Sequence, residues 1–132
     1  MEETGLYKKF LQAMKECKTF NQSGVHEYHK YRYSTIEDIL SKVNESLTKY
    51  ELISTIKSKL IQIKEVTTNK GTVEQFVIVE TTITITDVAT GQKLDIVALG
   101  NGTDTTKAQI NAVKYGFILS FCSVAGSYEE RR

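Results

Sequence analysis

Hydrophobic residues recur every three or four positions over the first twenty residues, at Leu6, Phe10, Met14, Cys17 and Phe20, with Leu11 alongside. This spacing stacks them on one face and predicts an amphipathic helix over about 3–20. Asn21-Gln-Ser-Gly24 breaks the period, and the tyrosine-rich stretch to Tyr33 reads as an extended loop or short strand. A second stripe, Ile36, Ile39, Leu40, Val43 and Leu47, predicts a helix over about 35–50. Ser34 and Thr35 stand three residues before Glu37 and Asp38, the spacing of a capping box. From 52 to 99 the chain is crowded with Ile, Val and Thr, whose stiff χ1 suits a pleated sheet. Runs over about 52–66, 72–87 and 92–99 are separated by short glycine-containing connections, Thr67 to Gly71 and Val88 to Gly91, which predicts an antiparallel meander. In the middle run Val73, Val77, Val79, Ile83 and Ile85 share one parity, and Glu74, Glu80, Thr82, Thr84 and Thr86 the other, so one face is core. The first run alternates poorly, because Lys57 and Lys59 share parity with Ile61 and Ile63, and a bulge or register change near Leu60 is expected. A last helix is predicted over about 105–121, with Ile110, Val113, Phe117 and Phe121 in its apolar set. Lys107, Asn111 and Lys114, at i, i+4 and i+7, read as one wet face with two cations and an amide. The order is α-α-β-β-β-α, an α+β domain with a three-stranded antiparallel β-meander packed with helices, as a single domain over 1–132.

Composition adds limits. At 132 residues, 40% apolar and 25% charged, the chain is sized and mixed for one water-soluble domain. No apolar run is long enough for a transmembrane helix and no secretory signal is evident, so the expected setting is cytoplasmic, away from membranes. Two cysteines, Cys17 and Cys122, are too few for a disulfide framework and are expected as free thiols. The net charge of +1 argues against a polybasic tail, so any anion site must be local. The first 66 residues hold 11 basic and 9 acidic side chains, the remainder 6 and 7. Basic residues cluster over 57–70, at Lys57, Lys59, Lys64 and Lys70, and in the His-Glu-Tyr-His-Lys-Tyr-Arg-Tyr run of 26–33.

Most catalytic chemistry finds no support. Cys17, His26, His29 and Cys122 match no zinc spacing, and Cys17 lies on the apolar stripe of the first helix. Neither a Gly-x-Ser-x-Gly elbow nor a Cys/His signature is present. Asp87, Asp95 and Asp104 could gather metal ions for a nuclease or nucleotide-processing enzyme, the alternative function, although acids at such positions ordinarily cap and turn the chain. No metal or cofactor is expected. Gly100-Asn-Gly102-Thr-Asp-Thr-Thr-Lys107 looks like a phosphate cradle ahead of a helix but lacks the Walker A spacing. Tyr28, Tyr31 and Tyr33 interleave with His29, Lys30 and Arg32, the mix of a single-stranded nucleic-acid groove and equally of a half-buried strand.

Two segments in order carry a family resemblance. His29-Lys-Tyr-Arg-Tyr-Ser-Thr-Ile-Glu-Asp-Ile-Leu40 resembles the Lys-Tyr-x-Tyr-x-x-x-x-Asp-Ile/Val block of phage-type essential recombination function (ERF) proteins. The stretch from Ala98 to Gly126 is similar to that family's glycine-rich loop, Lys-containing helix and aromatic-rich end, so the resemblance spans about 5–126. It implies the β-β-β-α core shared with the ring-forming eukaryotic Rad-type annealing protein. It also implies a single-strand annealing protein that assembles as a homo-oligomeric ring or filament, binds single-stranded DNA, pairs complementary strands without nucleotide hydrolysis and is not an enzyme. Matching positions are Lys30, Tyr31, Arg32 and Tyr33 in the first block and Lys107 and Lys114 in the helix. Lys30, Arg32, Lys107 and Lys114 are then expected on phosphates, with Tyr31 and Tyr33 stacking or packing. Lys57, Lys59 and Asn111 join them from the residue reading, and Gly100 and Gly102 permit close backbone approach or turn the chain. On that reading Lys107→Ala with Lys114→Ala abolishes DNA binding and spares the fold. Relatives often carry two adjacent basic residues where this helix has Val113-Lys114-Tyr115-Gly116, and a C-terminal extension that recruits host or phage recombination and replication proteins. A purely structural self-assembling module is the third reading.

Overall fold

A computed structural model describes residues 5–18, 20, 22–25 and 32–121, with Arg32 and Tyr33 described in their backbone. The elements are α1 (Leu6–Glu16), β1 (Gly24–Val25), β2 (Arg32–Tyr33), α2 (Ile36–Lys49), β3 (Leu52–Thr67), β4 (Val73–Asp87), β5 (Lys93–Gly102) and α3 (Thr105–Ser120). The fold is α+β, with a three-stranded antiparallel sheet in the order β3-β4-β5. The tyrosine-rich stretch ends in β2, which pairs antiparallel with β1 through Gly24 with Tyr33 and Val25 with Arg32. The chain gathers into two compact units, one of 1–54, 85–94 and 117–132, the other of 55–84 and 95–116.

In the first unit, α1 and α2 supply most of the core. Leu6, Phe10, Ala13 and Cys17 are buried from the α1 side, and Ile39, Val43, Ser46 and Leu47 from α2. Ala13 takes the place expected of Met14, which is only half-buried, and Leu11 and Leu40 are exposed. Buried Ser46 is satisfied by donating to Cys17 Sγ at 3.7 Å, and burial pushes that thiol's pKa up. Phe121 meets Phe10 edge-on at 5.0 Å and Phe117 at 6.1 Å, pairs worth about 0.5–1.5 kcal/mol beyond their buried area.

The expected capping box forms. Thr35 Oγ1 accepts from Asp38 N–H at 3.1 Å, and Asp38 Oδ2 accepts from Thr35 N–H at 2.9 Å. The same carboxylate oxygen accepts from Ser23 N–H at 2.9 Å and Ser23 Oγ at 2.8 Å, so one acid caps α2 and fixes the chain entering β1. Burial raises the Asp38 pKa, but these hydrogen bonds outweigh it and the net direction is down.

In the second unit, alternation along β4 holds from Val77 to Ile83, with Val77, Val79, Thr81 and Ile83 buried and the intervening residues half-buried. Val73, expected in that set, is 61% exposed near the β3–β4 turn. The turns close with positive-φ glycines, Gly71 (φ 84°) and Gly91 (φ 79°), where a Cβ would strain the backbone.

Candidate nucleic-acid interface

α3 begins after a tight turn that its own sequence satisfies. Asp104 Oδ1 accepts from Lys107 N–H at 2.8 Å, and Asp104 O accepts from Ala108 N–H at 3.0 Å. The positive end of the helix therefore already holds a carboxylate, which disfavours a second anion at the same amides. Gly100 and Gly102 lie within β5 rather than in a loop. A Cβ on Gly100 would come within 2.3 Å of both Ala108 O and Ala112 N, and on Gly116 within 2.9 Å of Ile83 Cδ1. Gly100, Ala108, Ala112 and Gly116 thus let α3 lie directly on the sheet, which corrects the phosphate-cradle reading.

That close seat also corrects the wet face expected of α3. Ala112, Val113 and Lys114 are buried in succession, Lys114 at 7% exposure, while Ile110 is exposed. Only the first turn of the helix keeps its cation outside: Lys107 is exposed, its Nζ 3.4 Å from Thr103 Oγ1. Asn111 is half-buried and donates through Nδ2 to Asn101 O at 2.8 Å, lacing α3 to β5.

β3 is the exposed element. Every residue from 53 to 67 is exposed, and in the sheet β3 lies at an edge. Exposed among the described residues, this stretch has no buried face to impose a strict alternation on it. Ser58 Oγ lies 2.8 Å from Thr81 Oγ1 and accepts from Gln109 Nε2 at 2.8 Å, so Ser58 points to the α3 side. By alternation Lys57 and Lys59 issue from the opposite side of β3. Beside α3 lies an open cleft of about 180 Å³, lined by Ser58, Lys59 and Leu60, by Val79, and by Thr105, Thr106 and Gln109. Lys57, Lys59 and Lys107 belong to the same compact unit.

The family model of the ERF superfamily matches residues 6–117. The chain belongs to the ERF superfamily. Membership gives it a general role in recombination and strand annealing. No curated protein matches the chain.

Of the motif positions of this ERF chain, Lys30 and Tyr31 lie outside the described residues, as do the side chains of Arg32 and Tyr33. His26, His29 and Cys122 are also outside them. The acids of the alternative enzyme reading have separate duties. Asp87 is buried and accepts from Lys9 Nζ at 2.7 Å and Thr90 Oγ1 at 2.9 Å, and the Lys9 bond chiefly holds its pKa below the usual range. Asp95 accepts from Thr84 Oγ1 at 2.6 Å, and Asp104 caps α3. Among the described residues no three His, Cys, Asp or Glu side chains gather as a metal site, and no helix is long and apolar enough to cross a membrane. Sequence reasoning missed Ser58, Thr106 and Gln109. Gln109 and Ser58 are 51 positions apart, and only the tertiary pairing of β3 with α3 joins them.

Proposed function

We propose that the chain binds single-stranded DNA through Lys57, Lys59 and Lys107 and promotes pairing of complementary strands without nucleotide hydrolysis. The observation that carries this reading is β3, exposed from residue 53 to 67, with cations and apolar side chains offered to outside partners on a single strand. Lysines supply sequence-independent phosphate contacts, which suits a protein that must accept any strand. Beyond them, the distal part of the β3–β4 hairpin exposes Ile61, Ile63, Val66 and Val73. Apolar residues exposed in this way favour burial against another copy, and repetition of the protomer in a ring or filament multiplies weak phosphate contacts along one strand. The protein acts by binding and positioning rather than by covalent chemistry, needs no cofactor, and works in the cytoplasm of a bacterial host beside phage or host recombination proteins.

The test is the salt dependence of single-strand binding. For wild type, log K falls linearly with log salt, and Lys57→Ala, Lys59→Ala and Lys107→Ala together reduce the slope by about 0.7 per lost contact. An unchanged slope removes these lysines from the interface. Salt-insensitive assembly with no strand bound would instead favour the module that only self-assembles through its exposed hairpin.

A further inference from the structure

We infer that the cleft between β3 and the first turns of α3 seats one nucleobase of the bound strand, an inference that rests on the single-strand-binding reading above. Its size is the first argument: about 180 Å³ is below the roughly 300–1,000 Å³ of sites that enclose a drug-sized ligand, and suits one ring system. Its walls are the second. Leu60, half-exposed, and Val79, buried, give it apolar surface that a base plane can cover. The third is a fixed amide. Thr81, Ser58 and Gln109 form a chain of two 2.8 Å hydrogen bonds that anchors the side chain of Gln109. With one N–H committed to Ser58, the second N–H and the carbonyl oxygen form a coplanar donor–acceptor pair, the pattern with which a primary amide reads a base edge. Lys59 borders the same cleft along β3, while its side chain issues from the other side of the strand and stays with the phosphate-binding lysines. One base seated per protomer would hold the strand in place while its neighbours stay outside and free to pair.

The full chain is titrated by fluorescence anisotropy with a labelled deoxyadenylate strand and with an abasic sugar–phosphate strand of equal length. Wild type should bind the natural strand several-fold more tightly with similar salt slopes. Gln109→Ala, which removes the amide, and Thr106→Trp, which fills the cleft, should each bring the natural strand down to the abasic affinity while leaving abasic binding unchanged. Thermal melts check that each variant is folded, and either variant alone suffices. Equal affinity of wild type for both strands, or a natural-strand preference that survives in the folded variants, overturns the base pocket and leaves the phosphate-binding reading standing. Failure to bind either strand at low salt overturns the single-strand reading and the pocket with it.

Discussion

Replacing Gly100 with alanine tests whether that glycine serves helix packing or ligand approach. The added Cβ would sit 2.3 Å from Ala108 O and from Ala112 N, about 1 Å short of the 3.4 Å at which ordinary contact begins. Both obstacles are helix backbone, so no side chain can swing aside, and α3 must retreat from β5 by roughly that distance. Ala108 packs with Val77 and Val79, and a gap of about 0.5–1 Å already forfeits a quarter to a half of each contact's attraction. Overpacking alone costs roughly 1–3 kcal/mol, and with backbone on both sides the upper end applies. For a domain of this size, about 3 kcal/mol lowers Tm by roughly 10 °C. Gly91→Ala is the comparison: its surroundings are open but its φ is 79°, so it meets only the left-handed backbone cost of about 1–2 kcal/mol. Differential scanning calorimetry of the two variants beside wild type gives the answer. A Gly100→Ala protein that melts with wild type refutes the close seat of α3. Loss of strand binding in such a variant would return the glycine to the ligand.

Three further outcomes are expected. Thr35→Ala removes the acceptor for Asp38 N–H and should cost about 1 kcal/mol in urea unfolding with an unchanged m-value; an unchanged midpoint would deny the cap its contribution. The Asp87 carboxylate has a folded pKa below its ordinary one, so its stabilisation is present above the ordinary value and is lost as pH falls below about 4. Asp87→Asn should accordingly lower Tm at neutral pH and flatten its decline in acid, and an acid limb identical to wild type would contradict the Lys9–Asp87 link. Lys107→Ala should reduce the salt slope of strand binding by about 0.7 at unchanged Tm, whereas Lys114→Ala should lower Tm and leave the slope of the folded protein unchanged. The reverse pattern would restore Lys114 to the interface.

The elements of this fold were legible where one face is buried and the other wet. The stripes of α1 and α2, the Thr35–Asp38 cap and the alternation of β4 each follow a period that burial on one side imposes. α3 was legible in extent but not in orientation. Its contact with the sheet is made by Ala108, Ala112 and Gly116, small residues that carry little hydrophobic signal, while Ile110 faces outward. A helix seated that closely covers the residues beside its stripe as well, which is why Lys114 went inside despite the i, i+7 spacing that pairs it with Lys107. β3 was less legible, because residues 53–67 are exposed and no buried face imposes a period on them. The cationic part of the candidate site was visible as lysines in sequence. The cleft was not, since Ser58, Thr106 and Gln109 are ordinary polar residues until β3 meets α3.

The most direct measurement is the rate at which two dye-labelled complementary DNA strands anneal at near-physiological salt with no nucleotide present. It is taken with wild type, with Lys57→Ala/Lys59→Ala/Lys107→Ala, and with heat-denatured protein. Folded wild type should accelerate pairing well above the spontaneous rate, and the triple variant should fall back towards it. A spontaneous rate in the presence of folded wild type, or full acceleration by the triple variant, would contradict an annealing surface built on β3 and the start of α3.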